Sequence, residues 1–207
     1  MIIIIPDNNA AERNYIIDII FNEFLETDYK IETSNRDFYE IITSENKSIV
    51  IKDGFFEQFQ EPLSYLKTCN IPQKICFSEN QFTVEADIPV IFGTPDVQIV
   101  ENKIICGIDI FASSFFMLTR WEEYVIDTKD IHERVSDDLQ YAVKHHIHER
   151  AVVNEYAEML RNMLKFTGHV IENKHVYKPF LTHDIDFFAR YDTFAKLIKA
   201  LSGDVLK

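Results

Sequence analysis

The stretch "VQIVENKIICGIDIFASSFFMLTRWEEY", residues 97–124, changes its hydrophobic period half-way along, and that change decides the fold class. "VQIV" and "KIIC" are short β-branched runs on either side of Glu101-Asn102, which reads as a hairpin joining two strands. After Gly107 the apolar positions recur every three or four residues, with Ile108, Phe111, Phe115 and Leu118 lining one broad face beside Phe116 or Met117. Trp121 falls on the same side, with Arg120, Glu122 and Glu123 outside it, so the spacing predicts a buried amphipathic helix starting near Asp109. A strand hairpin feeding a buried helix points to an α/β domain.

Working toward the N-terminus, Ile2 to Ile5 suit a short buried strand, and "PDNNA" turns the chain into a helix over about residues 11–25. Tyr15, Ile16, Ile19, Ile20 and Phe24 recur there at helical spacing. "DYKIETS", "FYEIIT" and "KSIVIK" read as a meander of adjacent strands, with Asp53-Gly54 as the next turn. Phe55, Phe56 and Phe59 form an aromatic knot that Leu63, Tyr65 and Leu66 continue as a short helix or covering loop. "IPVIF" at 88–92 is another strand, and "FGTPD" at 92–96 reads as a turn.

Working toward the C-terminus, a polar stretch from about Asp127 to Asp138 precedes a second helical stripe of Val152, Val153, Tyr156, Met159, Leu160, Met163 and Leu164, which ends near Gly168. "VYKPFLT" is strand-like, and "YDTFAKLIKALSGDVLK" reads as a helix with Phe194, Leu197, Ile198 and Leu201 on one side and Gly203 as its stop. The expected organisation is an α/β domain with a mixed sheet and packed helices over 1–170, joined to a further piece over 176–207.

The 207 residues are 46% hydrophobic, enough to bury a core, and a formal charge of -13 repels phosphate backbones and anionic lipid heads. Nucleic acid and membrane are therefore excluded as expected partners. Cys69, Cys76 and Cys106 lack the number and spacing of a disulfide framework or a zinc cluster and read as reduced, buried thiols. The apolar run at the N-terminus stops at Pro6, too early for a signal peptide, and nowhere do eighteen apolar residues run together, so a cytoplasmic protein is the expectation.

Candidate chemistry concentrates in "PFLTHDIDFFARY", residues 179–191. Asp184 and Asp186 are two apart, so in an extended strand both carboxylates share one face while Ile185 points the other way. Such a pair suits a metal ligand beside a proton acceptor, and it equally suits a turn or a helix cap. His145 and His148 share a face if "VKHHIHER" is helical, which fits either a metal site with a third ligand or a solvated acidic stretch. Arg120, Trp121 and Glu122 admit two readings, a packed tryptophan with solvated or paired carboxylates, or a sugar-stacking platform with carboxylates beside it.

"FLTHDIDFFARY" resembles the first motif of the polysaccharide deacetylase, or NodB-like, carbohydrate esterases, in the variant with Thr-His-Asp-x-Asp in place of Thr-Phe-Asp-Asp-Gly. "DIFASSFFMLTRWEEY", "DIHERVSDD" and "VVNEYAEMLRNML" resemble the uncharacterised domain that precedes the deacetylase domain in a group of bacterial proteins. The resemblance implies Asp184 as general base and Asp186 as ligand to zinc or another divalent metal, with Thr182 and His183 shaping the strand end. Ile185 stands where the usual motif has its second aspartate, so the ligand role of Asp186 implies a displacement by one residue. It also implies a barrel-like (β/α) catalytic domain of which residues 176–207 supply only the first strand and helix.

No histidine follows Asp186 in this sequence, so the two later metal ligands and the distant catalytic histidine are not found downstream. The expectation is therefore the N-terminal accessory portion of a metal-dependent carbohydrate N-deacetylase, inactive and without a tightly bound metal by itself. Its expected partners are the missing C-terminal catalytic region and an N-acetylated carbohydrate. The alternative is a self-standing, non-catalytic glycan-binding or scaffold protein. A homo-oligomer in which His145 or His148 of one subunit meets Asp186 of another is a third arrangement.

Overall fold

The structure is a computed structural model that describes residues 1–44, 47–171, 178–182 and 193–205. The chain divides into two compact units, Met1–Asn173 and Lys174–Lys207.

In the first unit β1 (Ile2–Pro6), β2 (Lys30–Ser34), β3 (Phe38–Ser44), β4 (Lys47–Lys52), β7 (Gly93–Val100) and β8 (Lys103–Ile108) form one sheet in the order β2-β1-β3-β4-β8-β7. β1 pairs in parallel with β2 and β4 with β8, while β1–β3, β3–β4 and β8–β7 are antiparallel. Strands β1, β2, β4 and β8 therefore all end at the same edge. The period-two pattern sends Ile3, Ile5, Tyr39, Ile41, Ile49, Ile51, Ile104 and Cys106 to one fully buried face. The opposite face carries Ile4, Glu40, Val50 and Ile105 in register, and Ile105 is 43% exposed, as expected of a mixed sheet covered on one side only.

Helices cover the buried face. In α1 (Ala10–Asp18) and the wider π-helical turn that continues it (Ile19–Phe24), Ile16, Ile17, Ile20 and Phe21 are all buried. α2 (Ile110–Thr119) sets Phe111 4.7 Å from the Tyr39 ring, and α5 (Val152–Phe166) packs beside α2 through the expected stripe from Val152 to Leu164. Tyr156 of α5 donates a 2.6 Å hydrogen bond to the Pro89 carbonyl of β6 (Ile88–Val90), which pairs with β5 (Cys76–Ser78) in a separate two-stranded sheet. The Phe55 and Phe56 knot closes over one end of this core with Tyr65, Phe92, Phe115 and Trp121 around it.

Several local expectations need correction. β2 lies beside β1, not beside β3, because a strand–helix–strand unit returns the chain parallel to its start and leaves no room for a simple meander. The helix after Asp109 breaks at Arg120, whose left-handed backbone (φ 49°) starts α3 (Trp121–Val125) on a new axis and leaves Leu118 outside. Tyr15 is half-exposed at the rim of α1, and Cys69 and Cys76 are exposed, so only Cys106 is a buried thiol. Gly93 opens β7 instead of a free turn, and the register slips between Gly93 and Val97.

In the second unit, residues 178–182 are irregular where a strand was expected, and α6 (Phe194–Val205) runs through Gly203. Phe194, Ile198 and Leu201 lie one and two turns apart on α6 and are all exposed. Among the described residues no helix is long and apolar enough to cross a membrane.

Gly54, where β4 leaves the sheet, has no room for a side chain: a Cβ there would stand 2.7 Å from the Gly93 nitrogen and 2.9 Å from its Cα. Because both obstacles are backbone atoms, Gly54→Ala is expected to cost about 1–3 kcal/mol in denaturant unfolding, as overpacking does. An unchanged unfolding midpoint would show that the two loops are not in contact.

Candidate functional site

The shared edge at which β1, β2, β4 and β8 end gathers the polar residues of the first unit. Ligands of open α/β sheets bind outside the carboxyl ends of such strands, so this edge is the natural place to look. The loop after β1 carries Asp7, Asn8 and Asn9, with Asn9 in a left-handed conformation (φ 47°) that asparagine tolerates better than most residues. The Asn8 side-chain amide donates to the carbonyl of Phe56 at 2.8 Å, and that of Asn9 to the carbonyl of Phe59 at 2.7 Å. The aromatic loop after β4 is thereby fastened over the start of α1.

Beneath the loops lies a charged cluster with no solvent exposure at Arg13, Asp53 or Asp109. The Arg13 guanidinium donates to Asp53 Oδ2 (2.6 Å), to the carbonyl (2.7 Å) and Oδ1 (2.6 Å) of Asn8, and to the Tyr39 hydroxyl. It also lies over the rings of Tyr39 (4.9 Å) and Phe56 (5.2 Å). Asp109 caps α2 by accepting from the Ala112 N–H at 2.9 Å, and its other oxygen accepts from the Gly54 N–H at 2.8 Å. Burial, followed by the nearby charge of Asp53, pushes the Asp109 carboxyl up to about 7 against these two hydrogen bonds.

Above the cluster the edge opens into a cavity of about 290 Å³ in which Pro6 is the only apolar residue among those lining it. Asp7, Asn35, Asp37, Asp53 and Glu57 form most of its wall, with Arg36 and Gln60 at its margin. Asp7, Asp37 and Glu57 make no ion pair among the described residues, and Arg36 is bound to Glu40 at 2.7 Å. Asp53 spends Oδ2 on Arg13, and its buried Oδ1 has no hydrogen-bond partner.

The residues singled out from sequence are dispersed. Trp121 is 4% exposed and packed among Phe55, Tyr65 and Phe116 at ring distances of 5.3–6.0 Å, so packing and not sugar stacking is its role here. The buried Glu122 accepts from the Tyr141 N–H at 2.9 Å where α4 (Tyr141–Lys144) begins, and burial raises its pKa despite that bond. Arg120 pairs with Glu123 and donates to Gln140 at 2.9 Å, which ties α3 to the loop before α4. α4 ends at Lys144, so His145 and His148 do not share a helical face; His145 rests on the Tyr141 ring at 4.4 Å. Thr182 is exposed in the second unit, and His183, Asp184 and Asp186 lie outside the described residues.

Among the described residues no three His, Cys, Asp or Glu side chains are placed to hold a metal ion.

Residues 1–169 match a family of unknown function, DUF7033. The chain belongs to that family. The match spans nearly all of the first unit, including the Arg13 cluster, the cavity and α5, and stops before residues 179–191. No curated protein and no solved structure matches the chain.

The Asp109 carboxyl gives the DUF7033 unit a defined pH response. Its folded pKa of about 7 lies above its ordinary value of 3.8, so the stability it contributes is full below about pH 4 and is lost as pH rises toward 7. Asp109→Asn cannot titrate and turns an amide donor toward the Gly54 N–H, at a cost of about 1–3 kcal/mol. The stability gap between wild type and Asp109→Asn, measured by urea unfolding from pH 5 to 8, is expected to narrow as pH rises. His145 and His169, whose pKa values burial lowers, titrate in both proteins and cancel in that difference. A constant gap would contradict the raised pKa.

Proposed function

We propose that the DUF7033 unit is the non-catalytic N-terminal module of a metal-dependent carbohydrate N-deacetylase whose catalytic domain opens at about residue 176. The carrying observation is the exposed stripe of Phe194, Ile198 and Leu201 on α6, immediately after the deacetylase-like motif at 179–191. An amphipathic helix of this kind is stabilised chiefly by burying its apolar face, and the remaining strands and helices of a barrel-like domain would supply that surface. Residues 1–169 form a unit with its own core, which supports assigning catalysis to the domain C-terminal to the module and not to the module itself.

In this reading Asp184 is the general base and Asp186 the metal ligand, roles carried over from the motif, with Thr182 and His183 shaping the strand end. The module's part is to present or retain the glycan near the catalytic domain.

The test is the product of the native gene, isolated without tags or trimming. Its intact mass is expected to exceed 24.3 kDa, the mass of the 207 residues, and the longer protein is expected to release acetate from N-acetylglucosamine oligomers, with Asp184→Asn abolishing release. A native product of 24.3 kDa, or acetate release undiminished by Asp184→Asn, would refute the proposal.

A further inference from the structure

The cavity at the carboxyl edge has more negative charge than its own structure neutralises. Asp7, Asp37, Asp53 and Glu57 face Arg36 and the buried Arg13, of which the first is engaged by Glu40 and the second is spent on Asp53. Carboxylates brought together in this way repel each other unless a cation joins them. A bare metal ion does not fit, because no three carboxylates among the described residues lie close enough to ligate one. The arrangement suits a cation carried on an organic scaffold, which can meet one carboxylate directly and others through its substituents.

Asp53 gives this inference a footing beyond the acidic cluster. It is fully buried, forms part of the cavity wall, and leaves Oδ1 without a partner. A buried carboxylate oxygen normally has a hydrogen-bond donor, and leaving one unmet is costly. The rest of the wall is suited to hydroxyl groups: Asn35 and Gln60 offer carboxamides, and Arg36 offers donors at the margin. A second cavity of about 370 Å³ shares Asp37 and Glu57 with the first and continues along the open face of the sheet past Phe38, Val50 and Ile105, where Lys52 is the one cation among the described residues lining it, against Asp37, Glu57 and Asp96. Phe38 lies there with the Arg36 guanidinium over its ring, 5.5 Å from the centroid, so the groove offers a sugar an aromatic side chain and guanidinium donors together.

We infer that the edge cavity binds a protonated primary amine on a polyhydroxylated ring, an amino-sugar unit, with the adjoining groove taking the next unit of the chain. The carboxylates recognise the ammonium, the carboxamides recognise the hydroxyls, and an N-acetylated unit, which has no positive charge, is discriminated against. This inference rests on residues of the DUF7033 unit and not on the deacetylase reading, so either can fail without the other.

The test is calorimetric titration of the 207-residue chain at about pH 6 with a glucosamine trimer, its tri-N-acetylated form, and spermidine. The glucosamine trimer is expected to bind at least about tenfold more tightly than the other two, a difference of one decade in affinity. Raising the pH to about 10, which deprotonates an amine flanked by electron-withdrawing oxygen substituents much as it does an α-amino group of pKa about 8, is expected to abolish binding. Asp37→Asn with Glu57→Gln removes two exposed carboxylates shared by both cavities and is expected to weaken binding at least about tenfold with the circular dichroism unchanged. No binding by the glucosamine trimer, equal binding of spermidine or the N-acetylated trimer, or binding unchanged in the double variant would each overturn the inference.

Discussion

The buried pair of Arg13 and Asp53 is the constraint on which the first unit depends. Two charges removed from water cost several kcal/mol each before they attract one another, so the pair persists only because almost every polar atom of Arg13 is engaged. Its partners lie on the loop after β1, on β3 and at the end of β4, and Asp109 extends the cluster to the start of α2 through the Gly54 N–H. One polar cluster thus fastens four segments that arrive at the same edge of the sheet. Loops held in this way keep fixed positions, and the exposed Asp7, Asn35, Asp37 and Glu57 stand on that base as a preorganised wall.

Much of the framework was legible because it depends on local periodicity. The hairpin at Glu101-Asn102, the start of α2 at Asp109 and the stripe of α5 follow from alternation, capping and helical spacing, which involve residues only a few positions apart. The site was not legible for the opposite reason. Arg13 sits among Glu12 and Asn14 and reads as a solvated helix residue, since Tyr39 and Asp53 are 26 and 40 residues further along. Asp53-Gly54 reads as a turn and is instead an irregular exit from β4, and nothing local reveals that the aspartate is buried or that a second backbone crosses the glycine. The weight placed on Arg120, Trp121 and Glu122 marked a true structural junction: the left-handed Arg120 turns the chain so that Trp121 enters the aromatic core and Glu122 caps the next helix. The aspartates at 184 and 186 carry the chemical reading of the second unit, and the geometry of the first unit is independent of it.

The relation between stability and function at this edge has a physical basis. A core of apolar side chains alone would hold the sheet against its helices and would leave the loop after β1 free to move. Placing an arginine and two aspartates there sacrifices some stability, most plainly at Asp109, whose ionisation near neutral pH is opposed by burial and by Asp53. The result is an edge with a fixed shape and an excess of negative charge, on the side of the sheet where α/β folds commonly bind ligands.

A double-mutant cycle on Arg13 and Asp53, with Arg13→Met, Asp53→Asn and the double variant compared by urea unfolding, tests that dependence most directly. Each single change strands a buried partner and is expected to cost about 3–5 kcal/mol, while the double variant loses much less than the sum because neither charge is left alone. Costs that add within about 0.5 kcal/mol would mean that the two side chains do not act as a pair and that the edge is held by something else.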